Sequence, residues 1–212
     1  MAWDFGAEIH ALAGFDADDS STTINSGETF KVHADQWLTD GAKEVINSLP
    51  PNLLKLCSNK ISFGSSSNAA GSEAETLNTG KVINVFANSV LCREIDSSLK
   101  YKAEDSDDVN YATSTDPAYY IEGNFINVLP SGRTCIYEEV QYPSIVVTDT
   151  AIARFPDEAE YLVVLYAAIR AVQERMANES ANEDSELYAL YSDKHARLSA
   201  EYQKGLAILK GA

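Results

Sequence analysis

The chain has 212 residues and carries 16 Lys and Arg against 32 Asp and Glu, a formal charge of −16 at pH 7. At this length a chain buries about 70% of its unfolded surface, enough for one full core with an elaboration or for two small domains. The charge excludes a protein that grips bare nucleic-acid phosphates, because each such contact needs a Lys or Arg to displace counterions.

Residues Met1 to Phe15 lack a basic start followed by an apolar run, and no stretch approaches the ~18 apolar residues of a membrane span. The expectation is a chain made in the cytoplasm, neither exported by a standard signal nor inserted. Cys57, Cys92 and Cys135 lie far apart, with no Cys-x-x-Cys pair and no His at ligand spacing. They predict buried free thiols, not a disulfide framework or a zinc site.

In chain order, residues 1–30 read as an arm. Trp3, Phe5, Ile9 and Leu12 precede a polar stretch beginning at Asp16, too weakly periodic for a defined element. From about Asp35 to Leu49, Leu38, Ala42, Val45, Ile46 and Leu49 recur at spacings of three and four, one face of a helix that Pro50-Pro51 stops. Leu53, Leu54, Leu56 and Cys57 add a turn or two behind it. Residues 64–80 are rich in Ser, Asn, Ala and Gly, and predict a mobile loop outside the core.

Lys81 to Ala87 and Val90 to Ile95, separated by Asn88-Ser89, suggest a first β-hairpin. Ala118 to Glu122 and Phe125 to Leu129 flank Gly123-Asn124, a pair suited to the positive φ of a two-residue turn, and predict a second. Thr134 to Tyr142 follows as a strand after Pro130-Ser131-Gly132. Phe155-Pro156-Asp157-Glu158-Ala159-Glu160 then signals a helix start: proline fits the first position, and the carboxylates face the positive end of the dipole. Leu162, Leu165, Tyr166, Ile169, Val172 and Met176 form its stripe, which Val163, Val164, Ala167 and Ala168 widen to nearly all sides. Ser180-Ala181-Asn182-Glu183 has capping-box spacing and predicts a new helix running to about Lys210. At ~1.5 Å per residue the two helices are roughly 35 and 40 Å long. The last carries Leu187, Leu190, Tyr191, Leu198, Tyr202, Leu206 and Leu209 on a narrower stripe, with Lys194 in its later half.

The resulting class is α+β: a helical body of residues 31–57 and 152–212 with long C-terminal helices, and a small antiparallel sheet or sandwich inserted over 58–151. Catalytic constellations are missing. There is no phosphate-binding Gly-rich loop, no nucleophile elbow and no His-Glu-x-x-His, and His10, His33 and His195 have no partner at fixed spacing. The acidic runs Asp16 to Asp19 and Glu104 to Asp108 do not match the EF-hand ligand pattern. Glu138 and Glu139 alternate across a strand and so face opposite sides. No catalytic residue, metal or cofactor is assigned. Tyr111, Tyr119, Tyr120, Tyr137 and Tyr142 crowd the strand region, and would suit an interface as large amphipathic contacts.

Trp37-Leu38-Thr39-Asp40-Gly41-Ala42 with Leu49-Pro50, Tyr111-Ala112-Thr113 to Asp116-Pro117-Ala118-Tyr119-Tyr120, Ile126-Asn127-Val128-Leu129-Pro130, and Phe155-Pro156-Asp157-Glu158-Ala159-Glu160-Tyr161-Leu162 occur in that order. Over residues 35–175 this order resembles the head-to-tail adaptor (connector, or head-completion) proteins of tailed bacteriophages. The resemblance implies a homo-oligomeric ring, usually twelvefold, in the virion neck beneath the portal protein. Such a ring extends the DNA channel and offers a platform to tail or nozzle proteins. DNA passes through without specific binding, and no membrane is involved. It also implies a C-terminal helix that reaches the portal, here Leu187, Leu190, Tyr191, Lys194, Leu198, Tyr202, Leu206 and Leu209. Tyr119, Tyr120, Tyr137 and Tyr142 are then candidates for the contact with the tail or a neighbouring subunit. The competing readings are another phage accessory part, for tail completion, fibre attachment or capsid decoration, and a metal-dependent enzyme whose carboxylates meet only in the fold.

Overall fold

The computed structural model describes residues 4–14, 30–64, 73–78, 81–181 and 185–211. In chain order the elements are α1 (Phe5–Ala13), α2 (Phe30–Ser48), α3 (Pro51–Leu54), a 3-10 turn (Lys55–Cys57), β1 (Ser58–Phe63), β2 (Glu73–Thr76), β3 (Val82–Ala87), β4 (Val90–Leu91) and β5 (Arg93–Glu94). A second 3-10 turn (Ser97–Leu99), α4 (Lys100–Glu104), β6 (Ala118–Glu122), β7 (Phe125–Leu129), β8 (Cys135–Val140), α5 (Asp157–Ala181) and α6 (Ser185–Leu209) complete them. The fold is α+β, with long C-terminal helices and two small sheets. It divides into a helical unit, Met1–Cys57 with Tyr142–Ala212, and a β unit, Ser58–Gln141. The acidic run at 16–19, residues 65–72 of the Ser-rich stretch and Asn182-Glu183 of the capping signal lie outside the described residues.

In the helical unit α5 is the central rod. Ala159, Leu162, Val163, Val164, Leu165, Ala167, Ala168, Ala171 and Val172 are all buried, as the wide apolar stripe requires, and α1, α2 and α6 pack around them. Helix α2 begins a turn earlier than the periodicity indicates: Phe30 is buried, with its ring edge-on to Trp37 at 5.5 Å. Two glycines let the rods approach. A methyl added at Gly41 would meet the Tyr166 ring, and one at Gly205 would overlap Tyr161 Oη and Leu162 Cδ2.

The arm read from residues 1–30 is corrected over its first part. Phe5–Ala13 is a helix, N-capped by Asp4 Oδ1 accepting from Ala7 N (2.8 Å) and ended by Gly14 at φ 85°. Its weak polar-face pattern hides the fact that Phe5, Ile9 and Ala13 at four-residue spacing bury one face. The chain also re-enters the helical unit at Tyr142, ahead of the boundary at 152 read from the sequence. The reason is a set of hydrogen bonds that hydrophobicity patterns do not carry. Phe5 N and Gly6 N, free donors at the start of α1, donate to Asp149 O and Val147 O (2.9 and 2.8 Å). From α2, Asp35 Oδ1 accepts from Val147 N (2.7 Å) and Thr39 Oγ1 from Ile145 N (3.1 Å). Ile145 and Val147 are buried between these bonds.

Helix α5 runs through Ser180 to Ala181 and α6 begins at Ser185, so Ser180 is an interior residue and not the N-cap its spacing suggested. A capping signal is local, and here continuation of the preceding helix prevails over it.

The β unit is a sandwich of two four-stranded sheets, ordered β1-β8-β3-β4 and β2-β7-β6-β5. Asn88 and Ser89 both take positive φ (46° and 69°) at the β3–β4 turn, and Gly123 (63°) does so in the turn between β6 and β7. The second hairpin matches its sequence reading residue for residue. The first does not close as a simple hairpin: after Leu91 the chain crosses into the other sheet, where β5 pairs parallel with β6. Between the sheets lie Phe63, Leu77, Val85, Cys92, Ile126, Val128 and Tyr137. The loop read at 64–80 is therefore corrected in part, since Glu73–Thr76 pairs with β7 and Leu77 is only 2% exposed. Leu77 N donates to Asn124 O, and Asn124 Nδ2 returns a bond to Leu77 O, both 2.9 Å. One leucine in a polar stretch is diluted in any window average, yet it suffices to anchor an edge strand. On the outer side of the second sheet Ala103 of α4 packs with Ala112, Ala118, Tyr120 and Leu129 as a smaller core.

Because Gly205 touches the α5 side chains directly, Gly205→Ala should lower stability by about 1–3 kcal/mol through overpacking, although alanine favours helix. A urea midpoint equal to or above wild type would contradict this packing.

Candidate interaction surface

Helices α5 and α6 form an antiparallel hairpin, and three contacts show their register. Gly205 meets Tyr161 and Leu162; the Tyr166 and Tyr202 rings lie 6.0 Å apart; Gln173 Nε2 and His195 Nε2 are 2.9 Å apart. Each step up α5 is matched by a similar step back down α6. In the lower half Leu198, Tyr202 and Leu206 are buried. In the upper half none of the described side chains from Gln173 to Ser180, or from Ser185 to Arg197, is buried. Leu187 is 39% exposed, Tyr188 42% and Leu190 62%.

The residues assigned to a portal contact are thus split by the structure. Leu187 and Leu190, with half-buried Tyr191, lie on the uncovered upper half. Lys194 Nζ is engaged at home, donating to Ala13 O (2.8 Å) at the C-terminus of α1. Leu198, Tyr202 and Leu206 are core residues of the helical unit, because α5 needs a partner on that side, and Leu209 is half-buried. The sequence stripe is continuous, whereas the covering ends near Leu198. Tyr188 was missed; its i, i+3 spacing to Tyr191 was the available signal.

Three of the four tyrosines read as an outer contact are internal. Tyr119 and Tyr137 point into the sandwich core and Tyr120 into the smaller core beneath α4. Tyr119 Oη donates to Glu94 Oε2 (3.2 Å) and Tyr137 Oη to Thr76 O (3.4 Å). Burial pushes both phenols up to about 12, with the charges of Glu94 beside Tyr119, and of Glu139 and Glu75 beside Tyr137, adding to it. Tyr142 is half-buried and donates to Asn47 Oδ1 (2.8 Å). What the β unit does expose is an apolar line across three strands. Leu91 on β4 pairs with Phe86 on β3, which pairs with Ile136 on β8. Strict alternation marks it, since Val85, Ala87, Cys135 and Tyr137 on either side point inward.

At the base of the hairpin a surface groove of about 340 Å³ is lined by residues that include Glu44, Tyr166, Arg170, Gln173, His195 and Tyr202. Its polar groups largely serve one another. Tyr202 Oη donates to Glu44 Oε1 (3.0 Å) and Arg170 Nη1 to Gln173 Oε1 (3.0 Å). Burial, followed by the Glu44 charge, holds the Tyr202 phenol well above its ordinary range.

Among the described residues no three His, Cys, Asp or Glu side chains gather closely enough to hold a metal ion. His10 is exposed on α1, and His33 lies edge-on to Trp37. In the acidic loop Asp105 Oδ1 accepts from Asp107 N and Asp108 Oδ1 from Asn110 N; the Asn110 bonds hold the Asp108 carboxyl below its ordinary value. Glu138 meets Lys60 Nζ (3.2 Å) and Asn84 Nδ2 (2.6 Å), while buried Glu139 accepts from Asn78. The three cysteines are buried and form no disulfide, and burial raises the Cys92 thiol to about 11. Among the described residues no helix is long and apolar enough to cross a membrane. Neither a protein-family model nor a curated protein matches the chain.

Two neighbouring positions on α6 should respond oppositely to the same change. Leu198→Asp buries an unpaired carboxylate and should cost at least about 3 kcal/mol, whereas Leu190→Asp should stay within about 0.5 kcal/mol of wild type. Equal losses in thermal melts of both variants would mean that the upper half is covered. The raised phenols add a pH dependence. The folded chain keeps protons that the unfolded chain releases, so this contribution is full below about pH 10 and declines above it. The urea midpoint should fall as pH rises from about 10 to about 12, and Tyr202→Phe should reduce the size of that fall.

Proposed function

We propose that this chain is a virion structural protein of a tailed phage, forming an adaptor ring in the neck between portal and tail. The single observation that carries the reading is the α5–α6 hairpin, half packed into its own core and half uncovered, with leucine and tyrosine on the uncovered part. The apolar side chains that α6 carries past the end of the α5 stripe stay exposed, so such a tip is suited to seating in a larger partner.

Two further features support a part that is stacked between others. The β unit has its own core and turns a separate apolar line, Leu91–Phe86–Ile136, outward, which fits attachment of a second partner such as a tail or nozzle protein. The charge of −16 suits a channel wall past which DNA must slide without sticking. In this reading the ring is twelvefold, the portal takes the hairpin, and DNA passes without specific contacts. A second reading is favoured by the β-unit line alone: an accessory part for tail completion, fibre attachment or capsid decoration that binds through that sheet.

Quantitative mass spectrometry of purified particles separates the two. The adaptor reading expects a copy number near that of the portal protein. Absence from particles, or an abundance comparable with that of the capsid protein, would overturn it.

A further inference from the structure

Near the end of the covered half of the α5–α6 hairpin, three polar side chains form a hydrogen-bonded relay whose direction is set by what each group can donate. Arg170 Nη1 lies 3.0 Å from Gln173 Oε1, and Gln173 Nε2 lies 2.9 Å from His195 Nε2. A guanidinium only donates, so Gln173 must offer it the amide oxygen. That orientation turns the amide NH2 toward His195, and an NH2 also only donates. The imidazole must therefore accept at Nε2, which requires the neutral ring with its proton on Nδ1. The reversed amide serves less well: its oxygen would reach His195, but its NH2 would meet Arg170 donor to donor.

The charges around the ring come from each element that lines the groove. Helix α5 supplies Arg170, α2 supplies Glu44, and Tyr166 and Tyr202 add two phenols, of which Tyr202 donates to Glu44. On α6 itself Asp193 faces Arg197 at 3.9 Å, and Lys194 is engaged with Ala13 O. A protonated imidazole donates from both nitrogens, and the single oxygen of Gln173 faces one neighbour at a time. No orientation of the amide then satisfies Arg170 and His195 together.

We infer that Gln173 is a proton-operated two-position switch: its amide oxygen holds Arg170 while His195 is neutral and turns to His195 when the imidazole takes up a proton. The turn releases Arg170, whose side chain is exposed. The groove changes with it, from one guanidinium against the Glu44 carboxylate to two cations against that carboxylate. Nothing in the switch depends on the adaptor reading, since all three groups belong to the hairpin itself.

The test reads the His195 tautomer in the full chain by NMR of the ring nitrogens at about pH 8 and about pH 5, the span over which imidazole side chains ordinarily change charge. The spectrum of His195→Gln assigns the signal against those of His10 and His33. Arg170 and Gln173 are both exposed, so substituting them leaves the core intact. Wild type at the higher pH should carry the proton on Nδ1. Arg170→Met frees the amide oxygen to turn, and should move the proton to Nε2, an outcome that loss of a nearby charge alone does not produce. Gln173→Ala should remove the preference for Nδ1. The wild-type contact between the Gln173 NH2 protons and the His195 ring should be lost at the lower pH. A proton on Nε2 in wild type, a tautomer that ignores Arg170→Met or Gln173→Ala, or an NH2 contact that persists at the lower pH would each overturn the inference.

Discussion

Helix α5 is apolar around nearly its whole circumference from Ala159 to Val172, and the arrangement of the helical unit follows from having to surround it. A helix with one apolar stripe can lie on a core; one apolar all round must be enclosed. Helices α1, α2 and α6 supply the enclosure, and Gly41 and Gly205 are the points where the approach is too close for a side chain. Removing the enclosure on any side would expose several leucines and valines, each contributing roughly 1.5–3 kcal/mol by its burial.

The same constraint shows where the enclosure stops. Past Val172 α5 turns polar, with Gln173, Glu174 and Arg175 in succession, so nothing compels its neighbours to follow it. Helix α6 nevertheless retains Leu187, Tyr188, Leu190 and Tyr191 beyond that point. Leu187, Tyr188 and Leu190 therefore stay exposed at the tip and do not extend the core.

A second organising contact is made of hydrogen bonds. The return segment around Ile145 and Val147 lies between α1 and α2, taking donors from the start of one and placing its own N–H groups on Asp35 and Thr39 of the other. It satisfies the free N-terminal amides of α1 and so explains why a nine-residue helix that would be marginal alone is held in place. Lys194 completes the hold at the other end of α1.

The β6–β7 hairpin, the breadth of the α5 stripe, the start of α5 after Pro156, the burial of the three cysteines and the opposed faces of Glu138 and Glu139 were all legible in the sequence. Each depends on periodicity or local backbone chemistry, which a linear pattern carries in full. Tertiary structure alone decided which apolar residues were already spoken for. Tyr119, Tyr120 and Tyr137 look like interface residues until two cores claim them, and Leu198, Tyr202 and Leu206 belong to α5 whereas Leu187 and Leu190 on the same stripe do not. The helical form of residues 5–13, the edge strand beside Leu77 and the early return at Tyr142 were likewise set by partners distant in sequence. Periodicity reports that a face is apolar; whether that face meets its own chain or another is a matter of where the covering elements end, and only the packed fold supplies that.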